Sequence, residues 1–449
     1  MRIINSNDVE FDNATKLLNK KSFDEVELSP KIREANKKIF GADLTAIEIV
    51  HRIVDDVRQK GDSAVIEYTK KIDGIELSIE DFIVKQSEFE EAEKNVDSKI
   101  VESLKRAANN IKHFHQEQLP KSWITYREHG SILGQAIVPL DRVGIYVPGG
   151  TAAYPSSVLM NAIPAKVAGV NEIIMMSPTK TGKLNPYVLI AAKIAGVDKI
   201  YKIGGAQAIA AMAFGTETVP RVNKITGPGN IFVTLAKKEV YGHCDIDMLA
   251  GPSEILIIAD ETANPIYTAA DMLSQAEHDP LACSIVITTD SKLAEKVAEE
   301  VQSQLEKLPR REIASSSIEL NGLIIVAKDM EEAVKFANIS APEHLELLVN
   351  EPFTVLPKIK NAGAVFLGHY SPEPLGDYLA GPNHVLPTGG TAKFYSVLNV
   401  DTFLRKMSLI SYTKPALLDA AEDIKRLANA EGLKAHANAI QKRMEGEVN

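Results

Sequence analysis

Apolar residues recur three and four positions apart through roughly the first 120 residues, the spacing that gathers them on one helical face. "SAVIEYTKKIDG" (63–74) and "SKIVESLKRAANNIKHFHQEQL" (98–119) show it, with charged residues between, and predict helices. His113 and His115 fall two apart in the second stretch and diverge on a helix, so they read as surface or packing residues.

From Arg142 the pattern changes. Short apolar runs such as "VGIYV" (143–147) and "EIIMMS" (172–177) predict buried strands. They alternate with apolar helix patterns, "PYVLIAAKIAGV", "AQAIAAMAFG" and "IFVTLAKKEVYG", and with short strands in "KIYKIGG" and "KITGPGN". Such alternation predicts right-handed βαβ units and a parallel sheet. An internal repeat agrees: "KVAGVNEI" starts at Lys166 and "KIAGVDKI" at Lys193, each a helix end with Gly169 or Gly196 just past it. A second α/β series has strands in "SEILIIAD" (253–260), "CSIVITTD" (283–290), "GLIIVAKD" (322–329) and "AGAVFLG" (362–368). A Gly/Pro-rich loop region (368–396) and a helical tail follow. The expected class is α/β, with two doubly wound modules and smaller helical N- and C-terminal parts.

Composition narrows the function. The 449 residues fit roughly two to four domains. A net charge of −10 leaves no basic excess to neutralise phosphates, which argues against nucleic-acid binding. No apolar run reaches the roughly 18 residues of a membrane span, and "MRIINSNDVEFDNATKLLNK" has no apolar signal core. Cys244 and Cys283 are far apart and form no CxxC, so neither a disulfide framework nor a thiolate zinc site is expected. A cytoplasmic protein is the expectation.

Six stretches carry candidate chemistry. In "LSQAEHD" (273–279), Gln275 and His278 share a helical face while Glu277 points elsewhere. The stretch is either a solvated helix end or half of a metal site. The glycine loops "PGGTAAYPSS" (148–157) and "KITGPGN" (224–230) suit phosphate or dinucleotide ligands, or are tight βα turns; neither is GxGxxG. In "SAPEHLELL" (340–348), Ser340 and Glu343 have capping-box spacing, which accounts for Glu343 at a helix start but leaves His344 unexplained. An adjacent Glu–His pair also offers separately tunable acid and base groups. "PLGDYLAGPNHVLPTGG" (374–390) puts Asp377 and His384 in a loop, and "EGLKAHANAI" (431–440) puts Glu431 and His436 in the tail. Gln275, His278, Asp377 and His436 together offer two nitrogens and two oxygens, a set suited to zinc. Spacing does not show that they meet.

Across almost its whole length the chain resembles the histidinol dehydrogenase family. The resemblance is carried by "RVGIYVPGGTAAYPSSVLMNAIPAKVAGV", "IGGAQAIAAMAFGT", "KITGPGNIFVTLAK", "DMLAGPSEILIIAD", "LSQAEHD", "SAPEHLEL", "GDYLAGPNHVLPT" and "EGLKAHANA", in that order. It implies two incomplete Rossmann-like domains: 25–143 with 253–398, and 144–252 for NAD. A 1–24 arm and a 399–449 tail reaching the partner's active site would complete a homodimer. It implies one zinc ion per subunit on Gln275, His278, Asp377 and His436, and Glu343 with His344 as the acid–base pair. Ser253, His344, His384 and Glu431 would line the substrate site beside the metal ligands, and Tyr146, Gln207 and Asn230 would contact NAD. The implied reaction is the four-electron oxidation of L-histidinol, through L-histidinaldehyde, to L-histidine, the last steps of histidine biosynthesis. Neither cysteine has the setting of a low-pKa catalytic thiol, and none is required. The alternative within the fold is a zinc/NAD dehydrogenase acting on another polar alcohol, such as a sulfonated diol. A metal-dependent hydrolase and a non-catalytic binding protein are the readings from other classes.

Overall fold

The computed structural model describes residues 1–7, 18, 28, 30–149 and 153–446. Residues 8–17 and 19–24 of the expected N-terminal arm, and Gly150–Ala152 of the first glycine loop, lie outside the described residues. In chain order the strands are β1 (Arg2–Asn5), β2 (Trp123–Tyr126), β3 (Ile132–Pro139), β4 (Arg142–Tyr146), β5 (Glu172–Met176), β6 (Lys199–Tyr201) and β7 (Lys224–Thr226). They continue with β8 (Asp245–Ile246), β9 (Glu254–Ala259), β10 (Cys283–Thr288), β11 (Gly322–Val326), β12 (His344–Leu348), β13 (Ala364–Leu367) and β14 (Leu404–Ser411). The chain divides into two compact units, 1–118 with 140–403, and 119–139 with 404–449.

The first unit is α/β and contains two parallel sheets, as the alternating pattern predicts. One has the order β6-β5-β4-β7-β8, the other β1-β11-β10-β9-β12-β13. Their strands read as continuous apolar runs because helices cover both faces. In β9, Leu256 and Ile258 join one core with Ile285 and Leu323. Ile255 and Ile257 point the other way, into a core with Met272, Val286 and Val297. The helices Pro155–Ala168 and Pro186–Ala195 end at Gly169 (φ 91°) and Gly196 (φ 76°), so both repeat glycines take the left-handed position expected of them. Residues 46–68, grouped by sequence with 253–398, here form the helices Ala46–Lys60 and Asp62–Tyr68. These pack against Gly205–Phe214 and Ile231–Val240, helices of the β4–β8 sheet. Ile53, Val57 and Val65 share a core with Met212 and Ala236 there. His115 is buried with Nδ1 on the Ile111 carbonyl at 2.7 Å, and His113 is exposed, so both are the packing and surface residues they read as.

In the second unit β14-β3-β2 form an antiparallel sheet, and the helices Lys414–Ala430 and Lys434–Glu445 pack on each other. The tail is mostly helical, as expected, but opens with β14. That strand's apolar residues, Leu404, Met407, Leu409 and Ile410, follow neither a period of two nor one of 3.6.

Candidate active site and cofactor cavity

Glu343 and His344, the expected acid–base pair, sit at the start of a strand, which corrects the helix-start reading of "SAPEHLELL". The helix Met330–Ser340 ends at Ser340, Ala341 turns left-handed (φ 48°), and His344–Leu348 is the fully buried strand β12. There is no capping box. Five buried residues in "HLELL" favour a central strand, and burial outweighs a three-residue spacing match. Glu343 is held from the neighbouring strand instead: the Glu254 N–H donates to its Oε2 at 2.9 Å. The carbonyl of the same residue accepts from His344 Nδ1 at 3.0 Å. A carbonyl only accepts, so Nδ1 carries the proton and Nε2 is left as the basic nitrogen. One residue's backbone thus fixes both groups.

Around His344 Nε2 the structure gathers most of the expected residues. Asp377 Oδ1 lies 3.9 Å from it and 3.8 Å from His384 Nδ1. His384 Nδ1 donates to the Asp377 carbonyl at 3.1 Å, and its Nε2 is 3.5 Å from Ser157 Oγ. Asp377 rides on the wide π-helical turn Gly376–Ala380. His278, Glu373 and Asp377 place one ligand atom each within 4.8 Å of one another. Gln275 is fully buried at the end of the helix Pro265–Ala276, and neither atom of its amide has a hydrogen-bond partner. The helix stops at Ala276, so Gln275 and His278 are joined by a closing turn rather than a continuing face; the His278 N–H donates to the Gln275 carbonyl at 3.2 Å. Ser253 directly precedes β9 and Glu254. Glu431 and His436 belong to the second unit, Glu431 closing Lys414–Ala430 and His436 exposed in Lys434–Glu445.

Burial sets the electrostatics. It holds Glu343 well above the usual carboxylate range, helped by Glu254, Asp377 and Glu373. It pushes His344 and His384 down to about 4, so both imidazoles are neutral at pH 7. It lifts Asp377 to about 6 and Glu373 to about 7. Three carboxylates absent from the sequence-derived set stand behind these. Glu373 takes a hydrogen bond from Ser274 Oγ (3.0 Å), and its own N–H donates to Glu346 Oε1 (2.8 Å). Asp271 hydrogen-bonds Glu346 in turn. The signal for Glu346 was present in the sequence: a carboxylate inside "HLELL" needs a buried polar partner.

A buried glutamine amide without partners is costly unless something satisfies it. With His278 and the carboxylates beside it, the donor set fits a borderline divalent cation such as zinc. Cys244 is buried, and burial pushes its thiol up to about 12, the opposite of an activated nucleophile.

Tyr146, Gln207 and Asn230, the three expected cofactor contacts, line one cavity of about 390 Å³ over the β4–β8 sheet. Tyr146 is buried at the end of β4, and its hydroxyl accepts the Gly205 N–H at 3.1 Å. Asn230 Oδ1 caps the helix Ile231–Val240, accepting from Phe232 and Val233, which leaves its NH₂ for a ligand. Gly149 admits the loop to the cavity wall: a Cβ there would meet the Pro178 carbonyl at 2.6 Å. The helix after that loop, Pro155–Ala168, carries Ser157, whose Oγ lies 3.5 Å from His384 Nε2.

Comparison with known proteins identifies the family. The family model for histidinol dehydrogenase matches residues 40–444. Histidinol dehydrogenase from Carboxydothermus hydrogenoformans is 56% identical over 398 residues, covering 89% of this chain and 94% of its own. The enzyme of that name from Heliobacterium mobile is 57% identical over 397 residues, covering 88% and 93%. The crystal structure of histidinol dehydrogenase from Elizabethkingia anophelis superposes with a TM-score of 0.89 at 37% identity, covering 99% of this chain and 98% of that one. The chain belongs to the histidinol dehydrogenase family.

Proposed function

We propose that this protein oxidises L-histidinol through L-histidinaldehyde to L-histidine, with two NAD molecules reduced in turn. The observation that carries the reading is the double grip of Glu254 on Glu343 and His344, which leaves His344 Nε2 unpartnered beside Asp377. Gln275, His278 and Asp377 would hold zinc, and the family resemblance adds His436 as a further ligand. When bound, the ion templates the substrate's nitrogens and NAD accepts hydride.

The chain's own residues handle the protons. His344 is neutral at pH 7 and its Nε2 is free, so it takes the alcohol proton as the carbon gives up hydride. The hydride loss gives the aldehyde. Water then adds to the aldehyde carbon, one of its protons going to the Glu343 carboxylate, and the gem-diolate so formed would pass the second hydride to NAD and release its remaining hydroxyl proton as the histidine carboxylate forms. Burial makes the Glu343 carboxylate a stronger base whenever it is ionised. Ser253, His384 and Glu431 would border the substrate. Among the described site residues there is no arginine or lysine to receive a sulfonate, which favours an imidazole-bearing amino alcohol over a sulfonated diol.

A homodimer with shared active sites is supported by the second unit, whose sheet exposes Trp123 (52%), Ile124 (54%) and Ile410 (75%). Among the described residues no helix is long and apolar enough to cross a membrane. A cytoplasmic setting agrees with two buried cysteines that form no disulfide. The test follows NADH and histidine together with histidinol as substrate. Two NADH per histidine is expected; a ratio of one, or no NADH, refutes the proposal.

A further inference from the structure

Among the described residues two π-helical turns occur, Thr69–Asp73 and Gly376–Ala380, and each carries a carboxylate to a site. The second delivers Asp377. The first delivers Asp73, which has no part in the proton transfers of His344 and Glu343. Asp73 lines the Tyr146–Gln207–Asn230 cavity, and Gln207 Nε2 donates to its Oδ2 at 3.4 Å. Gln207 is itself fully buried, and its Oε1 has no partner.

The topology gives this carboxylate a meaning. The order β6-β5-β4-β7-β8 is the doubly wound order 3-2-1-4-5, with β4 first and β5 second. In such sheets a dinucleotide lies across the carboxyl ends of the strands. An acid following the second strand then binds the adenosine ribose hydroxyls. Here β5 runs out into Ser177, Pro178, Thr179 and Lys180, all lining the cavity, with no acid among them. Asp73 arrives at the same cavity from a different part of the chain. We propose that Asp73 is the cofactor-specificity residue: its carboxylate accepts the adenosine ribose hydroxyls and rejects a 2′-phosphate at that position.

The surroundings agree. Burial lifts Asp73 to about 6, with Lys180 opposing, so it is an ionised acceptor at pH 7. Lys183, also on the cavity wall, is held by Glu91 at 2.7 and 2.8 Å, so its charge is already paired.

The proposal rests on the cavity being the NAD site, and the experiment separates the two ideas. Steady-state kinetics with histidinol are measured with NAD, 2′-deoxyadenosine NAD and NADP, on wild type, Asp73→Asn and Asn230→Ala. Wild type should show a KM about tenfold or more higher for the 2′-deoxy cofactor than for NAD, the loss of a charge-assisted hydrogen bond, with kcat little changed. Asp73→Asn should raise KM for NAD similarly, be indifferent to the missing hydroxyl, and lower the NAD-over-NADP preference at least tenfold. The wild-type comparison needs no variant to fold. Equal use of NAD and its 2′-deoxy form by wild type, or an unmoved preference in Asp73→Asn, overturns the role of Asp73. If Asn230→Ala still raises KM for NAD, the cavity stays the cofactor site and only Asp73 is reassigned. If Asn230→Ala also leaves KM unmoved, the cavity reading fails together with the proposal.

Discussion

Replacing Gln275 by methionine should move stability in opposite directions with and without metal. The side chain is fully buried, and both its amide oxygen and its amide nitrogen lack protein partners. An unsatisfied buried polar group costs about 1–3 kcal/mol, and a shape-tolerant swap to methionine costs less than about 1.5 kcal/mol. With the ion chelated away, Gln275→Met should therefore be more stable than wild type by about 1 kcal/mol. With zinc the sign reverses. If losing one donor weakens binding about a hundredfold, zinc-linked stabilisation at saturating ion falls by about 2.7 kcal/mol. Urea unfolding of both proteins, once in chelator and once in excess zinc, reads both terms without any turnover. A chelated variant less stable than chelated wild type, with zinc stabilising both equally, would show that the amide is satisfied within the protein and is no ligand.

The remaining predictions concern the acid–base pair, a buried brace and pH. His344→Gln should lower kcat by about 10²–10⁴, the range of a lost general base, with histidinol affinity by calorimetry changed far less. Glu343→Gln should slow aldehyde oxidation more than alcohol oxidation, so that a carbonyl trap such as semicarbazide captures histidinaldehyde; no trapped aldehyde would remove Glu343 from the water step. Lys237 and Asp247 form a buried ion pair that grips both polar groups of one residue. Lys237 Nζ donates to the Gly227 carbonyl at 3.0 Å, and the Gly227 N–H donates to Asp247 Oδ2 at 2.8 Å. Lys237→Met leaves the Asp247 carboxylate buried without its cation and should cost about 3 kcal/mol in urea unfolding. It should also raise KM for NAD, because Gly227 heads the loop carrying Asn230; a cost under about 1 kcal/mol would contradict this. His384 takes a proton below about pH 4 in the folded metal-free chain, but already near 6.5 in the unfolded one. The folded state therefore binds fewer protons between those values, and stability is lost as pH falls from 6.5 towards 4. The metal-free His384→Gln variant should lose about 2 kcal/mol less than wild type between pH 7 and 4.5.

The parallel sheets were legible because buried strands leave unbroken apolar runs, and the two repeat glycines were legible because a left-handed helix end all but requires glycine. Both signals are local. "SAPEHLELL" shows where a local signal misleads. Ser340 and Glu343 have the spacing of a cap, but the decisive fact is that Glu254, 89 positions earlier in the chain, offers Glu343 an N–H across β9 and β12. Donor chemistry could group the expected metal ligands, but only family resemblance assigned them and the expected cofactor contacts, since no periodicity links Gln275 to Asp377.

Asp73, the carboxylate on the first π-helical turn, was hidden for a related reason. Within "SAVIEYTKKIDG", Asp73 reads as one more polar-face residue of an amphipathic helix. The helix Asp62–Tyr68 instead widens into Thr69–Asp73, and the extra residue per turn rotates the later side chains away from the face that a 3.6-residue period assigns. Asp377, expected in a loop and already named as a candidate, also sits on a π turn, the one following Leu375. A π turn lacks the full complement of i→i−4 hydrogen bonds, so it persists only where the surrounding packing over-determines it. Here that packing comes from other parts of the chain: Gln207 bonds Asp73, and His384 Nδ1 bonds the Asp377 carbonyl. A helical period records which face a residue would take in an unbroken helix. Where the helix is widened to aim a carboxylate, that record is overwritten by contacts made only once the chain has folded, and those are the positions where a sequence reading passes over a functional acid.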